Sequence, residues 1–342
     1  MKKGKVVFII VICFLLILGV GIGYVISTKI NTSSSNESVI TTNVKGVGKE
    51  VLISLTNNKD NSGLYTIIRS ADSTLQIGEE ENVTEYRYRG ASPKNYVSFN
   101  NEVWRIIGVF QTDDGNGNIE NRIKLIRNDV LQNPISWNGC TSYTSVYEDG
   151  FYIDKCKDSN AGKNNFNISL IKDYLNVTYI NSLSSETQNM IGDTKYYLGG
   201  YNSSLITPVE MYTYERKISG SDYYYSTNPN SWVGKLGLMY VSDYGYASAN
   251  CETKKLSDTE TTDLRACNDT NWLYNEKERE WLLNQYSHNS ETVYIVIEDG
   301  SITNNEAPVV IPIKFRPVLY LRSEVKITGG SGTVDDMYTL GL

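Results

Sequence analysis

The longest apolar run in the chain is Val6–Ile26, VVFIIVICFLLILGVGIGYVI, in which no residue is charged. At 1.5 Å per residue, a helix of that length spans about 30 Å of hydrocarbon. Lys2, Lys3 and Lys5 precede it. The positive-inside rule therefore predicts a cytoplasmic stub over 1–5, an uncleaved transmembrane signal anchor over 6–26 and an exterior location for the rest. Ser27-Thr28-Lys29 lacks the small-x-small pattern of a signal-peptide cleavage site. Cys13 follows Val11 and Ile12 rather than the small residues of a lipoprotein box, and the run holds no Glu, which disfavours a prepilin. Gly19 and Gly23 have the spacing that lets two membrane helices pack closely. Residues 27–46 are rich in Ser, Thr and Asn and cannot repay their ordering entropy, so they read as a flexible stalk.

From residue 47 to 342 the pattern changes to short strands with a few helices. EVWRIIGVF (Glu102–Phe110) and RIKLIRN (from Arg122) alternate apolar and polar positions around β-branched runs, and TDDGNGNIEN between them reads as a hairpin loop. Further strands are predicted at Glu85–Arg89, Tyr96–Asn100, Lys235–Tyr240, Val293–Ile297, Phe315–Leu321 and Val325–Thr328, with Pro317 confining its strand to an edge or a bulge. Helices are predicted at Gly48–Leu55, at Asn167–Leu175 with Asn167 as cap, at Ser184–Ile191, and at Pro208–Lys217 with Pro in the first turn. Gly329-Gly-Ser-Gly332 reads as a turn in the tail. With no repeat of 20–50 residues, the body reads as one strand-rich, loop-rich α+β domain.

Charge and cysteine content sharpen the picture. The whole chain carries 32 basic and 39 acidic residues. Four of the basic ones fall in the first thirty positions, so the remainder stands at -11. That balance excludes a nucleic-acid grip, which needs a basic surface. Cys140, Cys156, Cys251 and Cys267 remain outside the apolar run and permit three pairings. Each neighbouring pair is separated by 16 positions and brackets polar sequence, which favours the local bridges Cys140–Cys156 and Cys251–Cys267. A four-thiolate metal site would need cysteines two to four apart in each half.

Chemistry-bearing patterns are few. Asp114, Asn116 and Asn118 resemble a calcium loop, but Ile119 and Leu125 occupy the positions that need Gly and Glu. His288, the one histidine, lies in a polar run without a nucleophile elbow and reads as a solvated turn residue. No phosphate-binding glycine motif follows a strand, so nucleotide binding is not supported. The acids are numerous enough for a facing pair of glycosidase type, but the sequence singles out none. Tyrosine is the remaining signal, at 26 residues against 7 Phe. Tyr223, Tyr224 and Tyr225, with Tyr244 and Tyr246, are candidate contact residues, since their rings suit protein interfaces and sugar faces. Trp104, Trp232, Trp272 and Trp281 lie in apolar strings and read as core.

YRYRGASPKNYVSFNNEVWRIIGVF (Tyr86–Phe110), KYYLGGY (Lys195–Tyr201), WVGKLGLMYVSDYGYA (Trp232–Ala247) and FRPVLYLRSEVKITGGSGT (Phe315–Thr333) resemble a group of uncharacterised, membrane-anchored surface proteins of low-GC Gram-positive gut bacteria. Trp281–Leu283 followed by a strand and R-P-V-L-Y-L resembles a surface domain of unknown function, distantly similar to C-type-lectin-like and sulfatase-modifying-factor folds. The resemblance implies a disulfide-stapled, C-type-lectin-like ectodomain at the plasma membrane, and it supplies no activity. The closely spaced cysteine pair of formylglycine-generating enzymes and the W-N-D triplet of calcium lectins are both missing. The expected function is a non-catalytic ligand-binding or adhesion module for a glycan, wall polymer or protein, using neither metal nor cofactor. The alternatives are a structural subunit of a surface assembly, or an extracellular hydrolase or oxidase.

Overall fold

The strongest alternating segments pair with one another and form the centre of the main sheet. The computed structural model describes residues 45–342 apart from 149–150, 160, 204, 258–261 and 305–309, all within one unit, Asn43–Leu342. Glu102–Asp113 and Ile119–Arg127 form a long antiparallel hairpin from Trp104↔Arg127 to Asp113↔Ile119. On the other side of Glu102–Asp113 lies Tyr96–Phe99, joined to it through Asn100 and Asn101 at φ 55° and 57°. Two successive left-handed residues match the twist of a two-residue hairpin, and Asn tolerates that conformation better than most residues. Val83–Arg89 pairs with the same long strand farther along and carries Gly63–Arg69 on its outer edge.

The C-terminal segments complete this sheet. Val318–Tyr320 lies between Ile119–Arg127 and Leu236–Gly237, so the strand after Pro317 is interior rather than an edge. The proline causes no conflict because it precedes the ladder, and its carbonyl accepts the Arg127 N–H at 3.1 Å. The glycine-rich segment is likewise not a tail turn. It reverses the chain so that Tyr338–Gly341 inserts between Lys326–Gly329 and Tyr96–Phe99, pairing parallel with the latter. Gly330 at φ 84° and Gly332 at φ 78° supply left-handed geometry there. A separate three-stranded sheet contains Glu280–Gln285, Val293–Val296 and Ile302–Thr303, and Thr194–Tyr197 pairs with Ser231–Gly234. The architecture is thus mixed and strand-rich, an α+β body.

Helices form at Gly48–Ser54, Leu170–Asp173, Ser185–Met190, Pro208–Glu215, Val241–Tyr246 and Thr262–Asn268. Pro208–Glu215 starts with a capping box between Thr207 and Glu210, which satisfies donors at its first turn. In the Asn167–Leu175 region the helix begins after Ser169, whose hydroxyl accepts from Lys172 N–H, and continues as a π turn over Tyr174–Tyr179. The predicted strand Lys235–Tyr240 is cut to Leu236–Gly237. Asp243 accepts the Tyr240 N–H at 2.9 Å and starts the Val241–Tyr246 helix instead. Trp104, Trp137 and Trp281 are fully buried, with Trp137 and Trp281 edge-to-face at 5.8 Å. Trp272 is buried too, whereas Trp232 is half-buried against Phe166.

Cys251 and Cys267 form the predicted local disulfide, with Cα atoms 5.8 Å apart. Cys140 is disulfide-bonded. The Cys156 backbone pairs with Tyr143, but its side chain lies outside the described residues. No helix of the described residues is long and apolar enough to cross a membrane. The stub, the predicted anchor 6–26, and all but the last two residues of the predicted stalk lie outside the described residues.

Candidate functional site

The period-two geometry of Val83–Arg89 turns Glu85 and Arg87 to one face, where they meet Lys124 and Asp243. Arg87 donates to Glu85 at 2.9 Å and to Asp243 at 3.2 Å, and Lys124 Nζ donates to the other oxygen of Asp243. Arg69 approaches Glu85 from the edge strand at 3.5 Å. Beside them Glu215 accepts from Arg216 at 2.6 Å, from the Ser242 hydroxyl at 2.6 Å and from the Ser242 N–H at 3.0 Å. Gly108 permits this arrangement, since a Cβ there would lie 2.0 Å from the Tyr86 carbonyl oxygen.

Burial opposes the charge on Glu85, yet Arg87, Arg69 and Arg216 outweigh it and hold the carboxyl at about 2. Burial likewise disfavours the Asp243 carboxylate, but Lys124 and Arg87 keep it below the ordinary range. Glu215 is pushed upward by burial, with Arg216 only partly offsetting it. Burial brings Lys124 down to about 8 against the pull of Asp243. Carboxyls driven apart and a depressed lysine are the electrostatic signature of acid–base chemistry. Here the groups are sealed: Glu215, Lys124 and Asp243 are each at most 1% exposed. The cluster ties the sheet to the helices Pro208–Glu215 and Val241–Tyr246.

The tyrosine excess belongs in large part to this interior. Arg69 lies 3.4 Å from the Tyr212 ring centroid and Arg216 3.8 Å from it, while Lys124 lies 4.3 Å from that of Tyr240. Aromatic faces stabilise cations that water no longer reaches. Of the candidate contact tyrosines, Tyr244 and Tyr246 are corrected to core positions. The Tyr244 hydroxyl donates to Gly300 O at 2.9 Å, and the Tyr246 ring faces Arg69 and Arg87. Tyr224 is buried as well, its hydroxyl bonded to Lys217 O. Tyr223 and Tyr225 are half-buried. Tyr223 ends an aromatic stack in which Tyr201 and Tyr214 lie 4.4 Å apart and Tyr214 and Tyr223 lie 5.1 Å apart. The tyrosine run divides because neighbouring side chains in an irregular segment face different surroundings.

The calcium-like loop is a hairpin turn that uses its own oxygens. Asp114 Oδ1 accepts the N–H groups of Asn116 and Asn118 at 2.8 and 3.2 Å, and Oδ2 accepts the Asn118 side-chain amide. Hydrogen bonds from Asn118 and Asn116 hold its carboxyl at about 2. Among the described residues, no three His, Cys, Asp or Glu side chains come together to hold a metal. His288 is exposed in its turn, 6.0 Å from the Tyr286 ring.

The open concavity lies at the Cys251–Cys267 staple. It encloses about 660 Å³. Asp60, Asn61, Ser62, Gly90 and Ala91 form one wall, and Ala249, Asn250, Cys251, Lys254, Ala266, Cys267 and Thr270 form the other. Gly90 joins the walls by donating to Ala247 O at 3.0 Å, and a Cβ there would press to 2.7 Å from Ser62 Cα. The Ser248 hydroxyl donates to Cys267 O at 2.7 Å and fixes the helix end beside the bridge. Small side chains and short polar groups, with the charged Asp60 and Lys254, therefore line a covalently fixed trough. The cysteine spacing pointed to this loop; the facing wall has no sequence signal beyond ordinary turn residues.

No family model matches the chain, and no curated protein or solved structure matches it significantly.

Proposed function

We propose that the protein is a surface-anchored, non-catalytic recognition module whose extracellular body binds a glycan, a wall polymer or another protein in the trough at the Cys251–Cys267 staple. The trough carries this reading. It is a 660 Å³ concavity whose one wall is closed by a disulfide and whose other is held by a main-chain hydrogen bond. A ligand entering such a shape orders few side chains, which lowers the cost of binding. The 21-residue apolar run with basic residues before it supports attachment to the membrane. The stapled, loop-rich α+β body is compatible with a C-type-lectin-like arrangement and with the surface-protein family named by its motifs.

The test is binding of the full oxidised chain, in non-ionic detergent, to an array of glycans and wall polymers, with calcium and again with chelator. Saturable binding to one chemical class is expected, and it should disappear when Ala249→Trp and Ala266→Trp fill the trough. An array blank under both conditions, or binding indifferent to both substitutions, would overturn the reading. Chelator sensitivity would move attention to Asp114.

A further inference from the structure

Buried cations in this protein have carboxylate partners. Arg87 and Lys124 share Asp243, Arg122 meets Glu120, Arg216 meets Glu215, and Arg316 meets Glu280 at 2.7 Å. Arg105 differs. It is 6% exposed, yet among the described residues no carboxylate bonds to it. Its Nε donates to Asn95 Oδ1 at 2.6 Å, and Asn95 is held in turn by donating to Ile106 O at 2.8 Å. The guanidinium carbon lies 3.7 Å from the Tyr96 ring centroid and 4.8 Å from that of Trp272. Two aromatic faces and one amide therefore fix the plane of the group and leave its terminal nitrogens without a protein acceptor. Burial and the neighbouring Arg316 draw its pKa down to about 10, as expected where a counter-charge is lacking.

Arg105 lines a cavity of about 170 Å³ together with Arg316, Asn128, Trp272, Tyr274 and Asn275. Arg316 uses Nε on Glu280 and one terminal nitrogen on Leu273 O, leaving the other terminal nitrogen unassigned. Asp129 also borders the cavity, exposed and bonded to the Asn128 amide at 2.8 Å. A guanidinium held in one plane matches a carboxylate, whose two oxygens accept parallel N–H bonds. The Asp129 charge at the mouth disfavours multiply charged sulfate or phosphate. The volume admits a carboxylate with a few carbons, and the predominantly polar lining suits a ligand that carries further hydrogen-bonding groups.

We infer that the Arg105 cavity is a binding site for a small monocarboxylate, with Arg105 as its principal partner and Arg316 as support. It is separate from the disulfide trough, so either assignment can fail alone.

The experiment is calorimetric titration of the full chain in non-ionic detergent with N-acetylglycine and with glucuronate, against chloride at matched ionic strength and the uncharged N-acetylglycinamide. Saturable one-site binding of at least one acid, absent for chloride and the amide, is expected. Arg105→Gln should weaken it roughly tenfold or more, the loss expected for charge-assisted hydrogen bonds. Asn275→Asp, at the half-buried mouth, adds a repelling charge without touching the core and should weaken it as well. The preferred acid, sugar or amino-acid derived, identifies the source of the carboxylate. No binding by either acid, equal binding by chloride, or binding unchanged in Asn275→Asp and in a folded Arg105→Gln would overturn the inference.

Discussion

Replacing Asp243 by Asn leaves the shape of the buried cluster nearly intact and removes its central negative charge. Lys124 and Arg87 are 0% and 1% exposed and both bond to Asp243. Without that carboxylate Arg87 retains Glu85, whereas Lys124 retains no carboxylate among the described residues. Removing one partner of a buried ion pair costs about 3–5 kcal/mol, because the remaining charge has neither water nor counter-ion. The Tyr240 N–H can still donate to the Asn oxygen, so the helix start should contribute little to the loss. For a unit of this size the cost corresponds to a Tm lowered by roughly 5–8 °C. Thermal unfolding followed by circular dichroism at neutral pH measures it. Lys124→Met in the Asp243→Asn background removes the stranded cation and should recover much of the loss. Deprotonation does the same: without Asp243 the Lys124 pKa falls below its parent value of about 8, so the single variant should regain stability as pH rises from there toward the unfolded value of 10.5. A loss below about 1 kcal/mol, or strict additivity of the two substitutions, would refute the assignment of the cluster as a mutually dependent ion network.

Three other perturbations probe separate parts of the argument. Glu85 has a folded pKa of about 2 against 4.5, so its stabilisation is present above pH 4.5 and lost as pH falls from there toward 2. It amounts to about 3 kcal/mol, and Glu85→Gln should flatten that part of the acid-unfolding curve; an unchanged slope would count against it. Non-reducing peptide mapping should recover Cys251 with Cys267, and reducing that bridge should destabilise the body by about 3 kcal/mol in denaturant titrations; a peptide joining Cys140 to Cys267 would contradict the fold. Gly108→Ala places a methyl 2.0 Å from the Tyr86 carbonyl oxygen and should cost about 1–3 kcal/mol by parting the Arg87 strand from its neighbour; a melting temperature equal to the parent's would show that the approach is looser.

The strands Glu102–Asp113 and Ile119–Arg127 were legible from their β-branched runs and the Gly/Asn/Asp loop between them, whereas the burial of both faces over Trp104–Phe110 and Arg122–Ile126 is set by the layers packed on the sheet. Tyr338–Gly341 was missed, since its place in the sheet depends on Tyr96–Phe99, a segment far earlier in the chain; Gly63–Arg69 was missed too, although its partner Val83–Arg89 is the next strand. Arg105 illustrates the same limit at the level of a site. In EVWRIIGVF it occupies an ordinary polar position, and only the arrival of Tyr96, Asn95, Trp272 and Arg316 makes it a buried charge without a counter-ion.

By itself the sequence determined the mixed strand-rich class, a helix opening at Pro208, the turn use of Asp114 and the local Cys251–Cys267 bridge. Each depends on interactions within about twenty residues. Tertiary structure alone decided which tyrosines are core, which charges are sealed together and where the two cavities open. Burial and charge compensation depend on segments far apart in the chain, as Arg87 and Asp243, 156 positions apart, show most directly.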